Sequence, residues 1–303
     1  MALKQIKNKI VSTKKTGKVT KAMEAVSAVK MRKSQERAFL SRPYVHAAMR
    51  ILSRVAQSEA VSSHPLTIKR TDVDRVLLLV ITSDKGLAGS VNSAVLKKLD
   101  QFKKTNVPFD VIAVGRKAIE FAGREKISII GRYTNVSDGV TLQDVNEITE
   151  LIIKAFRGEY VYQKVEVVYQ NFISTFEQEP TVRQILPLDP AEVHYIMRGI
   201  KPRTGKFSED TVGPDTFIDH KVEPNAQIVF DALIPQLVQI IIFHAFLESK
   251  ACEHSARMVA MKNATDKSKE VAKALTLVFN KARQAAITAE VAEITGGMEA
   301  MKK

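Results

Sequence analysis

Tryptophan is absent, and Cys252 is the single cysteine. One thiol excludes an internal disulfide, so nothing in the chain demands an oxidising compartment. Its neighbours Ala251, Glu253 and His254 lack metal-ligand spacing, and a packing thiol is expected. Phe, Tyr and Trp together supply only 6% of the residues, while the apolar total is 45% and rich in Ala, Val, Ile and Leu. That balance suits close helix packing better than a bulky core. No apolar stretch approaches the roughly 20 residues of a membrane span. The longest, residues 233–247, is broken by Pro235, Gln236, Gln239 and His244. The first residues alternate charge with apolar side chains and have no apolar h-region, so no secretory signal is expected.

Catalytic patterns are equally sparse. His46, His64, His194, His220, His244 and His254 form no HxxxH or HExxH pair and no Cys/His cluster, so no metal site is expected. No GxSxG element is present. Glu290 and Glu293 share a helical face, which reads as a solvated one. The segment 83–90, Ser-Asp-Lys-Gly-Leu-Ala-Gly-Ser, follows a strand and opens a helix, where a phosphate cradle would sit. It is neither GxGxxG nor GxxxxGK[ST], and its glycines read as a tight strand-to-helix turn.

What is present is length, positive charge and two kinds of periodicity. The 303 residues suffice for one or two domains, and the net charge of +13 points to an anionic partner. Residues 3–60 carry a helical stripe, Leu3, Ile6 and Ile10, that resumes after Gly17 at Val19, Ala22 or Met23, Val26 and Val29, with a phase slip between. Lysines crowd the same helix, and Pro43 is expected to kink it. Residues 73–190 alternate strands with helices. Strands are expected at 76–81, 109–114, 127–130, 164–169 and 183–188; helices are expected at 86–104, 116–124 and 141–156, the last capped by Thr141. Such alternation predicts an α/β fold with an open, largely parallel sheet. Residues 191–224 read as a loop-rich excursion. Residues 225–303 read as one helix, slim with alanine, kinked or delayed by Pro235, and too long for its stripe to be buried on a small domain. The simplest partner is the other terminal helix, in a long antiparallel coiled coil. The domains expected are thus 1–62, 73–190, 191–224 and 225–303. A basic N-terminal helix could bind nucleic acid, but it lacks interleaved aromatics and needs its apolar stripe buried, which favours an acidic protein partner.

Two stretches carry a resemblance. Residues 14–31 read KKTGKVTKAMEAVSAVKM; residues 255–265 read SARMVAMKNAT and are continued by 280–294, NKARQAAITAEVAEI. With 82–87, TSDKGL, they resemble the gamma subunits of F-type ATP synthases, bacterial type, in order and spacing over nearly the whole chain. The resemblance implies a non-catalytic rotor shaft with a Rossmann-like foot and no cofactor of its own. It implies as partners the alpha and beta subunits, the epsilon subunit and the membrane c-ring, with proton flow turning ring and shaft together. Arg283 and Gln284 match the pair that bonds a catch loop of one beta subunit. Met23 matches the position facing the acidic beta lever arm, and Lys9, Lys18, Lys21 and Lys30 would give that arm its basic counterpart. Phe207, Phe217 and His220 lie where the family meets the c-ring. Ala88 replaces a cysteine often found there, segment 195–214 is longer and more basic than usual, and the paired-cysteine redox switch of chloroplast forms is absent. The cytoplasmic face of a bacterial plasma membrane is the expected location, with the matrix side of the mitochondrial inner membrane as the alternative.

Overall fold

The computed structural model describes residues 3–55, 64–159, 162–188 and 225–301. A 53-residue helix α1 (Leu3–Val55) opens the chain and a 75-residue helix α5 (Ala226–Ala300) closes it. Between them run β1 (Val76–Ile81), α2 (Val91–Lys103), β2 (Phe109–Val114), α3 (Arg116–Arg124), β3 (Ile129–Tyr133), α4 (Asn146–Lys154), β4 (Lys164–Phe172) and β5 (Gln178–Leu186). The chain divides into two compact units, one of residues 1–26 and 258–303, the other of residues 27–257. Both terminal helices belong to both units.

In the larger unit the strands form one sheet in the order β3-β2-β1-β4-β5. β1 pairs parallel with β2 and β4, β2 pairs parallel with β3, and β5 is an antiparallel edge. Because successive side chains on a strand face opposite ways, β1 feeds two cores. Leu77, Leu79 and Ile81 pack with Ile148 and Ile152 of α4 and with Phe230, Ile234, Val238, Ile242 and Phe246 of α5. Val76, Leu78 and Val80 pack with Val95 and Leu99 of α2 and Ala118 of α3. A continuous apolar run such as VLLLVI is what a strand buried on both faces requires.

The first third of α5 is therefore part of the sheet's own core. Residues 240–249 are buried on every side of the helix, and the helix runs through Pro235 without a delayed start. By length and composition this helix could cross a membrane, yet more than half of that window is buried within the chain. Sheet packing accounts for its apolarity.

The smaller unit is an antiparallel helix pair. Up to Thr20 the buried and half-buried positions of α1 are Leu3, Ile6, Ile10, Thr13, Gly17 and Thr20, at alternating spacings of three and four. On α5, Met261, Thr265, Ser268, Ala272, Leu275, Phe279 and Ala282 are all buried or half-buried and follow the same rhythm. This is the 3.5-residue repeat of a two-helix seam. Thr20 Oγ1 lies 2.7 Å from Thr265 Oγ1, and a Cβ on Gly17 would meet Ser268 Cβ at 3.2 Å. Those two pairs fix a register that puts Ile10 level with Leu275, Ile6 with Phe279 and Leu3 with Ala282.

The seam corrects the sequence reading of α1. There is no phase slip at Gly17; the repeat continues through small and polar residues. Val19, Val26 and Val29, read as the resumed stripe, are more than half exposed. Close helix approach selected small side chains, so hydrophobicity alone pointed to the wrong face. The threonine pair gives a test. Thr20→Val removes the cross-seam partner of the Thr265 hydroxyl, which keeps the carbonyl of Met261 on its own helix at 2.8 Å, and should cost about 1 kcal/mol, whereas adding Thr265→Val should recover most of it, because two apolar groups of matched shape replace both partners. Urea denaturation in a double-mutant cycle reads the difference.

Candidate functional site

The carboxyl ends of parallel strands are where α/β sheets place their ligands. Here that crevice is filled by the chain itself. Asp84, just past β1, accepts the backbone N–H of Arg116 at 3.0 Å and of Asn135 at 2.8 Å, tying the ends of three strands together. The Ser83 backbone N–H donates to Asn92 Oδ1 at 2.9 Å, and the Ser83 hydroxyl donates to the carbonyl of Lys85 at 2.7 Å. From α5, Ser255 donates to the carbonyl of Thr175, and Arg257 reaches the carbonyl of Gly86 at 3.3 Å. The cavity left between Thr82, Asp84, Gly115 and Lys250 is about 10 Å³, room for one water and no nucleotide. The 83–90 segment is the tight turn expected of it. Among the described residues no three His, Cys, Asp or Glu gather closely enough to hold a metal ion. Cys252 is fully buried, and burial, with Glu248 beside it, pushes its thiol well up, leaving it inert.

The surfaces that remain are those of the helices. Lys9, Lys18 and Lys21 are exposed on α1, with Val11, Val19 and Val26 between and beside them, while Met23 is half-buried. The lysines lie around the exposed sides of α1 rather than on one line, with Lys9 and Lys18 half a turn apart, so the helix offers a basic surface with apolar patches. Lys30 is placed differently. Its Nζ donates to Asp138 at 2.6 Å, an interaction within the chain. Arg283 and Gln284 are exposed on α5 immediately after Ala282, where the seam with α1 ends. From Arg283 to Met298 every residue is exposed, and Ile287, Val291, Ile294 and Met298 form a stripe at helical spacing along this unpaired stretch. Phe207, Phe217 and His220 lie outside the described residues.

No pattern in the sequence marks the charged cluster around Asp138. Its carboxylate faces Lys30, His254 Nε2 at 3.0 Å and Lys250 Nζ at 3.7 Å. Burial opposes ionisation of Asp138, but the hydrogen bond from Lys30 and the positive fields of His254, Lys250 and Lys30 outweigh it and hold the carboxyl at about 2. His254 is itself lowered, first by burial, against the opposing fields of Glu253 and Asp138. The contributing residues are far apart in sequence, and a lone Asp in a loop reads as a turn residue.

Comparisons with known proteins agree on one kind of protein. The ATP synthase family profile matches residues 2–301. An ATP synthase gamma chain of Stenotrophomonas maltophilia (strain K279a) is 36% identical over 302 residues, covering 98% of this chain and 99% of the relative. One from Thiobacillus denitrificans (strain ATCC 25259 / T1) is 37% identical with the same coverage. Among solved structures, a chain of the Euglena gracilis mitochondrial ATP synthase OSCP/F1/c-ring assembly aligns with a TM-score of 0.67 at 18% identity, over 99% of this chain and 94% of that one. Nothing in these relatives supports a nucleic-acid-binding reading of the basic helix.

Proposed function

The chain belongs to the ATP synthase gamma-chain family, and from that premise we propose that it is the central rotor shaft of an F-type ATP synthase, a non-catalytic subunit of a membrane-associated complex. The observation that carries the reading is the bare end of α5. Among the described residues nothing covers α5 beyond Ala282, and the stripe Ile287, Val291, Ile294 and Met298 that it exposes fits an apolar sleeve from other chains. A ring of alternating alpha and beta subunits supplies one. Lys9, Lys18 and Lys21, on different sides of α1, meet the acidic lever arms of the beta subunits, and Arg283 with Gln284 engages one beta catch loop. The α/β unit rests on the c-ring and carries epsilon, on the cytoplasmic face of a bacterial plasma membrane.

The mechanism follows from asymmetry. A two-helix coil has no threefold symmetry, so its basic surface and its Arg283–Gln284 step touch each beta subunit differently. Each catalytic site is biased among its conformations by those differential contacts, and rotation passes the bias round the ring. Proton flow through the c-ring supplies the rotation in synthesis; ATP hydrolysis reverses it.

Co-expression with the alpha and beta subunits of the same source tests this. A complex with one copy of this chain per ring is expected, with ATP hydrolysis that depends on it. Replacing both Arg283 and Gln284 with alanine should lower that hydrolysis at least fivefold without loss of assembly. A chain that stays apart while alpha and beta fold and associate would refute the reading.

A further inference from the structure

The loop between β3 and α4 is gripped from both terminal helices at one carboxylate. Asp138 Oδ2 accepts Lys30 Nζ of α1 at 2.6 Å, and Asp138 Oδ1 pairs with His254 Nε2 of α5 at 3.0 Å. Lys250, one turn earlier on α5, holds the same loop twice, through the carbonyl of Val136 at 3.0 Å and the Asp138 carboxylate at 3.7 Å. Arg37 of α1 lies so close over Gly139 that a Cβ there would come within 2.8 Å of its guanidinium. The network runs on through α5: Arg257 meets His254 Nδ1 at 3.4 Å, donates to Glu253 at 2.8 Å and reaches the turn after β1 at Gly86. His254, Glu253 and Arg257 are all buried.

We propose that Asp138 is a coupling strut, a carboxylate bound from α1 and α5 together that makes both helices and the sheet turn as one body under load. The proposal rests on the rotor reading and adds a residue to it. Its physical basis is a charge imbalance. Lys30 and Arg37 of α1 and Lys250 of α5 face the loop, and Asp138, with Glu253 beside Lys250, supplies the acids among them. Charge-assisted hydrogen bonds are short and strong, and here they replace apolar packing where two helices leave the sheet. Removing the Asp138 charge does more than delete bonds. It takes from Lys30 its carboxylate and leaves Lys250 with Glu253 of its own helix at 3.6 Å, so the attraction that joins α1 to α5 through the loop is lost. A shaft subunit loaded in torsion would feel that as slip between its helices and its base.

The test uses the whole complex in vesicles, reading protons pumped per ATP hydrolysed. The wild-type complex must first assemble and pump; its failure would count against the rotor reading, not against the strut. Asp138→Asn is expected to assemble and to hydrolyse ATP within twofold of wild type, while protons pumped per ATP fall at least threefold. Asp138→Glu, which keeps the charge, should restore pumping to within twofold. If Asp138→Asn does not assemble, Lys30→Met, which removes only the α1 arm at a half-exposed position, should lower pumping per ATP at least twofold. Wild-type pumping per ATP in Asp138→Asn, or in Lys30→Met where that variant is needed, overturns the proposal.

Discussion

Ala274→Pro is expected to abolish coupling while leaving most of the fold in place. Ala274 lies on the exposed side of α5, within the stretch paired to α1. Its side chain fills no core, so the substitution acts on the backbone alone. Proline removes the N–H that bonds the carbonyl of Glu270, and its ring collides with that carbonyl, at about 3 kcal/mol or more. The helix bends there. The seam that joins Ala272, Leu275 and Phe279 of α5 to Thr13, Ile10 and Ile6 of α1 then loses register from that point to the tip. The residues beyond that point, Ile287, Val291 and Ile294, no longer continue the helix axis of the paired stretch. ATP-driven proton pumping in the assembled complex should fall at least tenfold, whereas Ala274→Ser, which keeps the backbone, should stay within twofold. Full coupling in the proline variant would mean that α5 does not act as a continuous shaft.

Gly115→Ala should disrupt the α/β unit itself. Gly115 joins β2 to α3 at φ +86, a backbone that side chains rarely adopt. A Cβ there would sit 2.2 Å from the carbonyl oxygen of Thr82 and 2.7 Å from its carbonyl carbon. Neither can withdraw. The Thr82 N–H donates to the carbonyl of Val114 at 2.9 Å, its hydroxyl donates to the same oxygen and accepts the N–H of Ala118, and the Gly115 N–H donates to Tyr133 at 2.8 Å. The methyl must therefore break strand-end bonds as well as bear the strained φ. Together these should cost roughly 3–5 kcal/mol. A drop in melting temperature of about 6 °C or more is expected, with loss of soluble yield. A melting temperature within 2 °C or so of wild type would show that the turn is looser than its hydrogen bonds indicate.

How far the sequence could be read depended on which physical signal each part carries. β1 and β2 were legible because a short, wholly apolar run bounded by turn residues has few other uses, and α3 matched its expected bounds, 116–124. β3 and β4 ended a few residues from expectation. The edge strand β5 was longer than expected, starting at Gln178, since an edge needs fewer apolar residues and tolerates Pro180. The helix expected from residue 86 begins only at Val91, because the 83–90 segment spends its backbone bonds on the turn. For the coil, length and alanine content announced a helix pair, but the face was misread. Thr13, Gly17 and Thr20 line the seam because small residues let helices approach, and no hydrophobicity pattern reports that. The share of α5 buried on the sheet was hidden as well, since a helix apolar all round reads the same whether it packs on a sheet or on another helix. Arg283 and Gln284 were singled out through resemblance alone; periodicity could place them on a helix but not at the end of a seam. Asp138 was invisible, because its partners Lys30, Lys250 and His254 meet only in three dimensions.

The claim that everything else depends on is that this chain couples proton flow to catalysis on other chains. The most direct measurement is ATP synthesis in inverted membrane vesicles driven by an imposed proton gradient, with the complex assembled with or without this chain. Synthesis that requires the chain, and that Ala274→Pro abolishes while alpha and beta remain bound, is the predicted result. Synthesis at an equal rate without the chain would contradict the rotor account outright.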